Sequence, residues 1–182
     1  MEKINWINGQ AGGTPLSAEN LNQMQDNIEK AINENTEAIS HRQNIITAKG
    51  ASSADTLAPA DGAKVELVSA ISVGTKLTLE NGGIKIGANV KTIKVSATTT
   101  YTANFIGQHA LWIYKNVNSL ENRVARALMN TGDSTYVQPT INIIEQITNN
   151  ISEGDILYVY ASSSSNVSVS NSLTMLTVEV VE

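Results

Sequence analysis

Lys76-Leu77-Thr78-Leu79-Glu80-Asn81-Gly82-Gly83-Ile84-Lys85-Ile86 is the stretch that decides the fold class. Leu77 and Leu79 alternate with Lys76 and Thr78, the period of a strand with one face on a core and the other in water. Glu80-Asn81-Gly82-Gly83 then offers glycine for the positive φ that a tight hairpin turn needs, and Ile84 to Ile86 resumes an extended pattern.

Outward from this hairpin the same period recurs. Lys64-Val65-Glu66-Leu67 precedes it, and strands are expected at Lys91 to Ala97, Ala110 to Tyr114, Arg123 to Leu128, Thr140 to Ile144, Asp155 to Ala161 and Thr174 to Val181. Short strands at fairly regular spacing, with no helical pattern between them, describe an antiparallel sandwich. In the final run Leu176, Val178 and Val180 share one face while Thr177 and Glu179 share the other, so one side is buried. The run before it is apolar on both sides, with Ile156, Tyr158 and Tyr160 against Leu157, Val159 and Ala161. Such a strand is central in its sheet or lies at a subunit interface.

Toward the N-terminus the period changes. Thr14-Pro15-Leu16-Ser17 carries helix-starting residues, with Glu19 placed to favour the helix dipole, and no Gly or Pro follows until Gly50. Leu21, Gln25, Ile28, Ile32, Asn35, Ile39, Arg42 and Ile46 alternate steps of four and three, which is a heptad seam. A second seam, Met24, Ile28, Ala31, Asn35, Ala38, Arg42 and Ile45, widens the apolar stripe to a breadth that suits three helices better than two. Asn35 and Arg42 are polar layers that fix register at some cost in stability. The stalk core is therefore read as Leu21, Met24, Ile28, Ile32, Asn35, Ile39, Arg42 and Ile46. A single amphipathic helix lying on the sandwich is the other reading of the same pattern. Residues 47–62 are small, turn-forming and interrupted by Gly50 and Pro59, as in a linker.

Residues 1–16 combine Ile4, Trp6 and Ile7 with a glycine-rich run that includes Gly12 and Gly13. This segment is too short to bury its own tryptophan. Trp6 either folds back on the helix or docks on a neighbouring subunit or mounting platform.

The chain has 182 residues, of which 41% are hydrophobic and only 16% charged, with a net charge of -5. That length suits one domain plus an extended element. A net negative chain has no excess of cations to neutralise phosphates, which excludes ordinary nucleic-acid binding. With no cysteine, a disulfide framework and a thiolate metal site are ruled out. No apolar run is long enough to span a bilayer, and the N-terminus lacks the pattern of a secretory signal, so folding in a cytoplasm is expected.

Material for catalysis is thin. His41 falls on the exposed side of the seam and His109 opens a strand with no acid nearby in sequence, so both read as structural. Asp133, Glu145, Glu153 and Asp155 could gather at one end of a sandwich, but they lack the spacing of a calcium loop. No catalytic residue, metal ligand or cofactor is assigned. Tyr101, Phe105, Trp112 and Tyr136 are candidates for a shallow sugar-binding surface or for core packing. Ser162-Ser163-Ser164-Ser165-Asn166 reads as an exposed contact loop.

Two stretches resemble known families. Ile4-Asn5-Trp6-Ile7-Asn8-Gly9, with Gly12-Gly13-Thr14-Pro15-Leu16-Ser17 and the residues through Ile28, resembles the N-terminal segment of tail-fibre and baseplate proteins of phages of Gram-positive bacteria. Gly83-Ile84-Lys85-Ile86, Val90 to Ala97, Ile151-Ser152-Glu153-Gly154-Asp155-Ile156-Leu157-Tyr158-Val159 and Leu176-Thr177-Val178-Glu179 are similar to the trimeric jelly-roll head of the C1q and tumour-necrosis-factor-like families. These resemblances imply a particle-attachment segment at 1–16, carried by Ile4, Trp6, Ile7, Gly12 and Gly13. They further imply a coiled-coil helix at 17–48, a linker at 49–62 and a β-sandwich head at 63–182. The expected protein is a homotrimeric, non-enzymatic fibre or spike of a virion made in the bacterial cytoplasm. It would hold other virion proteins through its N-terminus and a host-surface glycan or protein through its head, without inserting into the membrane. A capsid-decorating fibre or connector without receptor function is the alternative.

Overall fold

The computed structural model describes residues 18–42, 44–52, 54–103, 106–132 and 138–181, with the side chains of 39–42 outside it. The attachment residues Ile4, Trp6, Ile7, Gly12 and Gly13 lie outside the described residues. The chain divides into two units, Met1–Ser40 and His41–Glu182.

The described part of the first unit is helical: α1 runs from Ala18 to Arg42, its last two residues falling in the second unit. Its sequence contains neither Gly nor Pro, and its surface is dressed by weak local contacts. Thr36 Oγ1 donates to the Ile32 carbonyl at 2.8 Å, and Lys30 and Glu34 form an exposed i,i+4 pair at 3.9 Å. The seam residues Met24, Ile28 and Ile32 are 51%, 55% and 49% exposed, so among the described residues about half of each side chain stays uncovered.

Among the described residues the second unit has twelve strands: β1 (Ile45–Gly50), β2 (Asp55–Leu57), β3 (Ala63–Val65), β4 (Leu67–Val73), β5 (Leu77–Glu80), β6 (Gly83–Ile86), β7 (Thr92–Tyr101), β8 (Gly107–Lys115), β9 (Arg123–Thr131), β10 (Thr140–Thr148), β11 (Ile156–Ser163) and β12 (Ser168–Val180). Sheet one has the order β10-β7-β12-β1-β4, with β2 also on β12. Sheet two has the order β5-β6-β11-β8-β9, with β3 also on β11. Every pairing is antiparallel. The β5–β6 hairpin turns on Asn81 (φ 50°) and Gly82 (φ 75°), two consecutive positive φ values, as the alternation around Asn81-Gly82 leads one to expect.

The core forms where the inward faces meet. Ile46, Val95, Leu176 and Val178 of sheet one face Ile84, Leu111, Ile113, Leu157 and Val159 of sheet two, and all are 1% exposed or less. Leu176, Val178 and Val180 are buried and Thr177 and Glu179 are not, as the alternation in β12 requires. β11 is the central strand of sheet two, which accounts for its two apolar faces.

Two expectations need correction. The helix read over 17–48 ends at Arg42, and Ile46 belongs to the sandwich core rather than to the stalk seam. Ile45-Ile46-Thr47 is β-branched and pairs on both sides, with Ile46 opposite Val178 in β12 and Ser72 in β4. Two ladders and a fully buried side chain outweigh one further step of heptad spacing. Likewise 49–62 is more than a linker, because β1 runs to Gly50 and β2 pairs with Ser168–Ser170 of β12. The sandwich thus begins at β1 and not at residue 63. Asn44 secures that start: its buried Oδ1 accepts the backbone N–H groups of Thr75 and Lys76 at 2.9 Å each, and its carbonyl accepts from Val180 N–H at 2.8 Å.

One polar tie joins the two sheets from within. Tyr101 of β7 is 0% exposed, and its hydroxyl proton is shared between the carbonyls of Ala110 in β8 and Ser162 in β11, each at 2.7 Å. Burial raises its pKa from 10.0 to about 12. An unfolded tyrosine ionises near 10 while the folded one keeps its proton, so unfolding stability is level below pH 10 and declines between pH 10 and 12. The loss reaches roughly 3 kcal/mol for a shift of this size. Urea unfolding from pH 8 to 12 is expected to show this decline in the parent chain and a shallower one in Tyr101→Phe. The variant is also expected to be less stable at pH 8 by about 1–3 kcal/mol, since two enclosed carbonyls lose their donor.

Candidate functional site

The outward faces of the two sheets differ in chemistry. Of the chain's two tryptophans and five tyrosines, Trp112, Tyr114, Tyr158 and Tyr160 stand on the outer side of sheet two. Trp112 is the cross-strand partner of Tyr160, and Tyr114 of Tyr158, so the four occupy adjacent positions on β8 and β11. Tyr114 sits at the centre, 4% exposed, and receives Trp112 and Tyr160 in edge-on contacts with ring centroids 5.9 and 5.1 Å away. The other three rings are half-buried.

Glycines allow these rings to lie down. A Cβ on Gly83 would meet Cδ1 of Tyr158 at 2.7 Å and the Leu157 carbonyl at 2.6 Å. At Gly62, whose φ is +87°, a Cβ would meet Cζ3 of Trp112 at 2.5 Å. Lys64 of β3 places its ammonium 4.8 Å from the Tyr158 ring centroid and pairs with Glu66 at 2.6 Å. Burial is the main cause of a raised Tyr160 pKa, with Lys64 opposing it. The indole Nε1 of Trp112 is enclosed and meets no acceptor among the described residues. On the far side of Trp112 its cross-strand partner is the exposed Arg126 of β9.

Sheet one presents the opposite character. The row Ile71, Thr47, Thr177, Ser96 and Ile144 crosses all five main strands in register, with Thr47 and Thr177 hydroxyls 2.9 Å apart. Ile71 and Ile144, on the two edge strands, are 82% and 72% exposed. β4, with the sequence Leu67-Val68-Ser69-Ala70-Ile71-Ser72-Val73, carries no charge. Edges of this kind invite association unless something covers them.

The remaining sequence candidates do not converge. Tyr101 is in the core, while Phe105, Tyr136 and Asp133 lie outside the described residues, as does the side chain of His41. His109 is 0% exposed, its ring tilted 49° against Tyr101 with centroids 4.7 Å apart. Its Nε2 lies 3.2 Å from the Thr131 hydroxyl, which also donates to the Gly107 carbonyl at 3.2 Å. Glu145 is on sheet one, whereas Glu153 and Asp155 belong to the turn before β11. Asp155 is occupied there, accepting from Asn116 Nδ2 at 2.7 Å and Ser152 N–H at 2.8 Å. Among the described residues no cluster of His, Asp or Glu could hold a metal. The serine run is not a free loop: Ser162 and Ser163 are buried in β11, Ser164 Oγ accepts from Gln108 N–H at 3.0 Å, and Ser165 Oγ donates to the Ile106 carbonyl at 2.9 Å. No helix among the described residues is long and apolar enough to cross a membrane.

Comparison with known proteins bears on the fold. The structure of murine APRIL at pH 5.0 superposes with a TM-score of 0.58 at 12% identity, covering 74% of this chain and 96% of that one. The murine APRIL structure at pH 8.0 gives 0.57 at 12% identity with the same coverage. PRD1 vertex protein P5 superposes at 0.51 with 16% identity, covering 77% of this chain and 98% of that one. No family model and no curated protein sequence matches the chain. The second unit is therefore a tumour-necrosis-factor-like jelly roll by fold.

Reading sequence alone missed Tyr158 and Tyr160 as surface residues. The signal was present, because their phase opposes that of Leu157 and Val159, but two apolar faces gave no indication of which one was outward. Gly62→Ala is expected to lower stability by about 1–3 kcal/mol through strain at positive φ and displacement of the indole. In a Trp6→Phe background, where Trp112 is the sole tryptophan, its emission should shift to longer wavelength.

Proposed function

We propose that the chain is a structural fibre or spike protein of a bacteriophage particle, assembled as a homotrimer, attached by its N-terminus and binding a host-cell surface through its jelly-roll head. It acts by assembly and adhesion, not catalysis. One observation carries this reading: α1 exposes Met24, Ile28 and Ile32 at heptad spacing, an apolar stripe that a single helix leaves in water. Three parallel copies would bury it, with Leu21 flanking the same seam and Asn35 as a polar layer. Ile39 and Arg42 would continue the stripe.

The head supplies a second association surface of the same kind. Copies meeting across the outer face of sheet one, where Lys94 and Glu179 stand opposite each other, would cover Ile71 and Ile144, which lie about 19 Å apart across five strands. The resemblance of residues 4–28 to tail-fibre and baseplate proteins supports attachment through Ile4, Trp6, Ile7, Gly12 and Gly13. Similarity to a vertex protein favours a second reading, a fibre that decorates the capsid rather than the tail. Antibody labelling of purified particles separates the two placements.

Sedimentation velocity at micromolar concentration is expected to give a trimer for the full chain. Ile28→Asp with Ile32→Asp should shift it to smaller species while the β-sheet circular dichroism persists. Ile144→Arg should weaken the trimer more mildly. A parent chain that sediments as a monomer would sink the proposal.

A further inference from the structure

We propose that the aromatic outer face of sheet two is a binding platform for a neutral pyranose glycan, with Trp112, Tyr158 and Tyr160 as its floor. This rests on the reading of the head as a host-surface binder and names the chemistry of that contact. A protein with 4% aromatic residues fills its core with Ile, Val and Leu, yet places one tryptophan and three tyrosines side by side on an outer face. Their inward neighbours Leu111, Ile113, Leu157 and Val159 already seal the sandwich, so the core does not require them.

The pieces around the rings fit a sugar. Gly62 and Gly83 lower the backbone beneath Trp112 and Tyr158, leaving apolar ring surface for the C–H face of a pyranose. Along each strand successive outward residues are about 7 Å apart, so the rings form a floor long enough for more than one sugar unit. The rim carries both signs, with Lys64 and Arg126 as donors and Glu66 as an acceptor, and Gln108 and Asn130 extend it along β8 and β9. Hydroxyl groups, which donate and accept, match such a mixed rim. A polyanion does not, because Glu66 stands in the rim and the chain carries a net charge of -5.

The test uses the full-length chain on immobilised oligosaccharides, neutral hexose and N-acetylhexosamine oligomers beside uronic-acid and phosphate-bearing ones. Binding is expected for neutral oligomers, weakly dependent on salt. It should fall about tenfold in Tyr160→Leu and in Tyr158→Leu, which keep apolar bulk but remove the ring, and similarly in Glu66→Gln, which leaves the sheet untouched. Circular dichroism and sedimentation of each variant should match the parent. Binding only to anionic oligomers, binding to none, or neutral binding that survives all three substitutions would overturn the platform. Particle location and oligomeric state are read separately, so a chain absent from particles but retaining ring-dependent sugar binding would defeat the fibre reading and leave the platform standing.

Discussion

Strand β12 is the constraint on which the head depends. It lies between β1 and β7, opposite Ile45–Lys49 on one side and Ile93–Thr98 on the other, and it also receives β2. Sheet one therefore cannot close until the last strand of the chain arrives beside the first. Its inward residues, Leu176, Val178 and Val180, fix the register, because a slip by one residue would turn Thr177 and Glu179 into the core. Contacts of such sequence separation carry a high loop-closure cost and slow the search for the native pairing. Asn44 lowers the freedom of that search locally by holding the start of β1 to the residues before β5 and to Val180.

Once the register is set, the two outer faces inherit their chemistry from the phase of the strands. Sheet one turns out Thr, Ser and the edge isoleucines, with Lys49, Lys94 and Glu179 among them. Sheet two turns out aromatic rings and a rim of mixed charge, suited to a small amphipathic ligand. In the proposed reading a single chain thereby separates an association side from a recognition side, and neither compromises the inward face. Tyr101 belongs to both sheets through its shared proton, which keeps the relation between the two sides constant.

The sandwich was legible in the sequence where alternation was strict, as in β12 and the β5–β6 hairpin. It was not legible in β1, because Ile45 and Ile46 also satisfy a heptad continuation from Ile39 and Arg42. Only the distant partners Val178 and Ser72 decide between the two, and local period contains no information about them. β2 and most of β4 were hidden for a related reason: Ser69-Ala70-Ile71-Ser72 is small and mixed, and it becomes a strand by pairing with β1. At the aromatic face Trp112 was visible as a candidate. Tyr158 and Tyr160 were visible only as half of a strand with two apolar sides, since solvent exposure is a property of the finished sheet. His109 was legible as structural, because no acid stood near it and a buried hydroxyl partner suffices.

A shallow platform of three rings holds a sugar weakly, since most of its surface stays open to water and each contact competes with solvation. What makes such a site useful is repetition at fixed spacing. In the proposed trimer, three identical platforms are carried by one stalk, so binding at the first raises the effective concentration at the others and avidity exceeds the single-site affinity by orders of magnitude. The heptad stripe of α1 and the rings of sheet two are then parts of one device. Without the stripe, the rings would remain a low-affinity patch on a monomer. Without the rings, trimerisation would have only an architectural consequence.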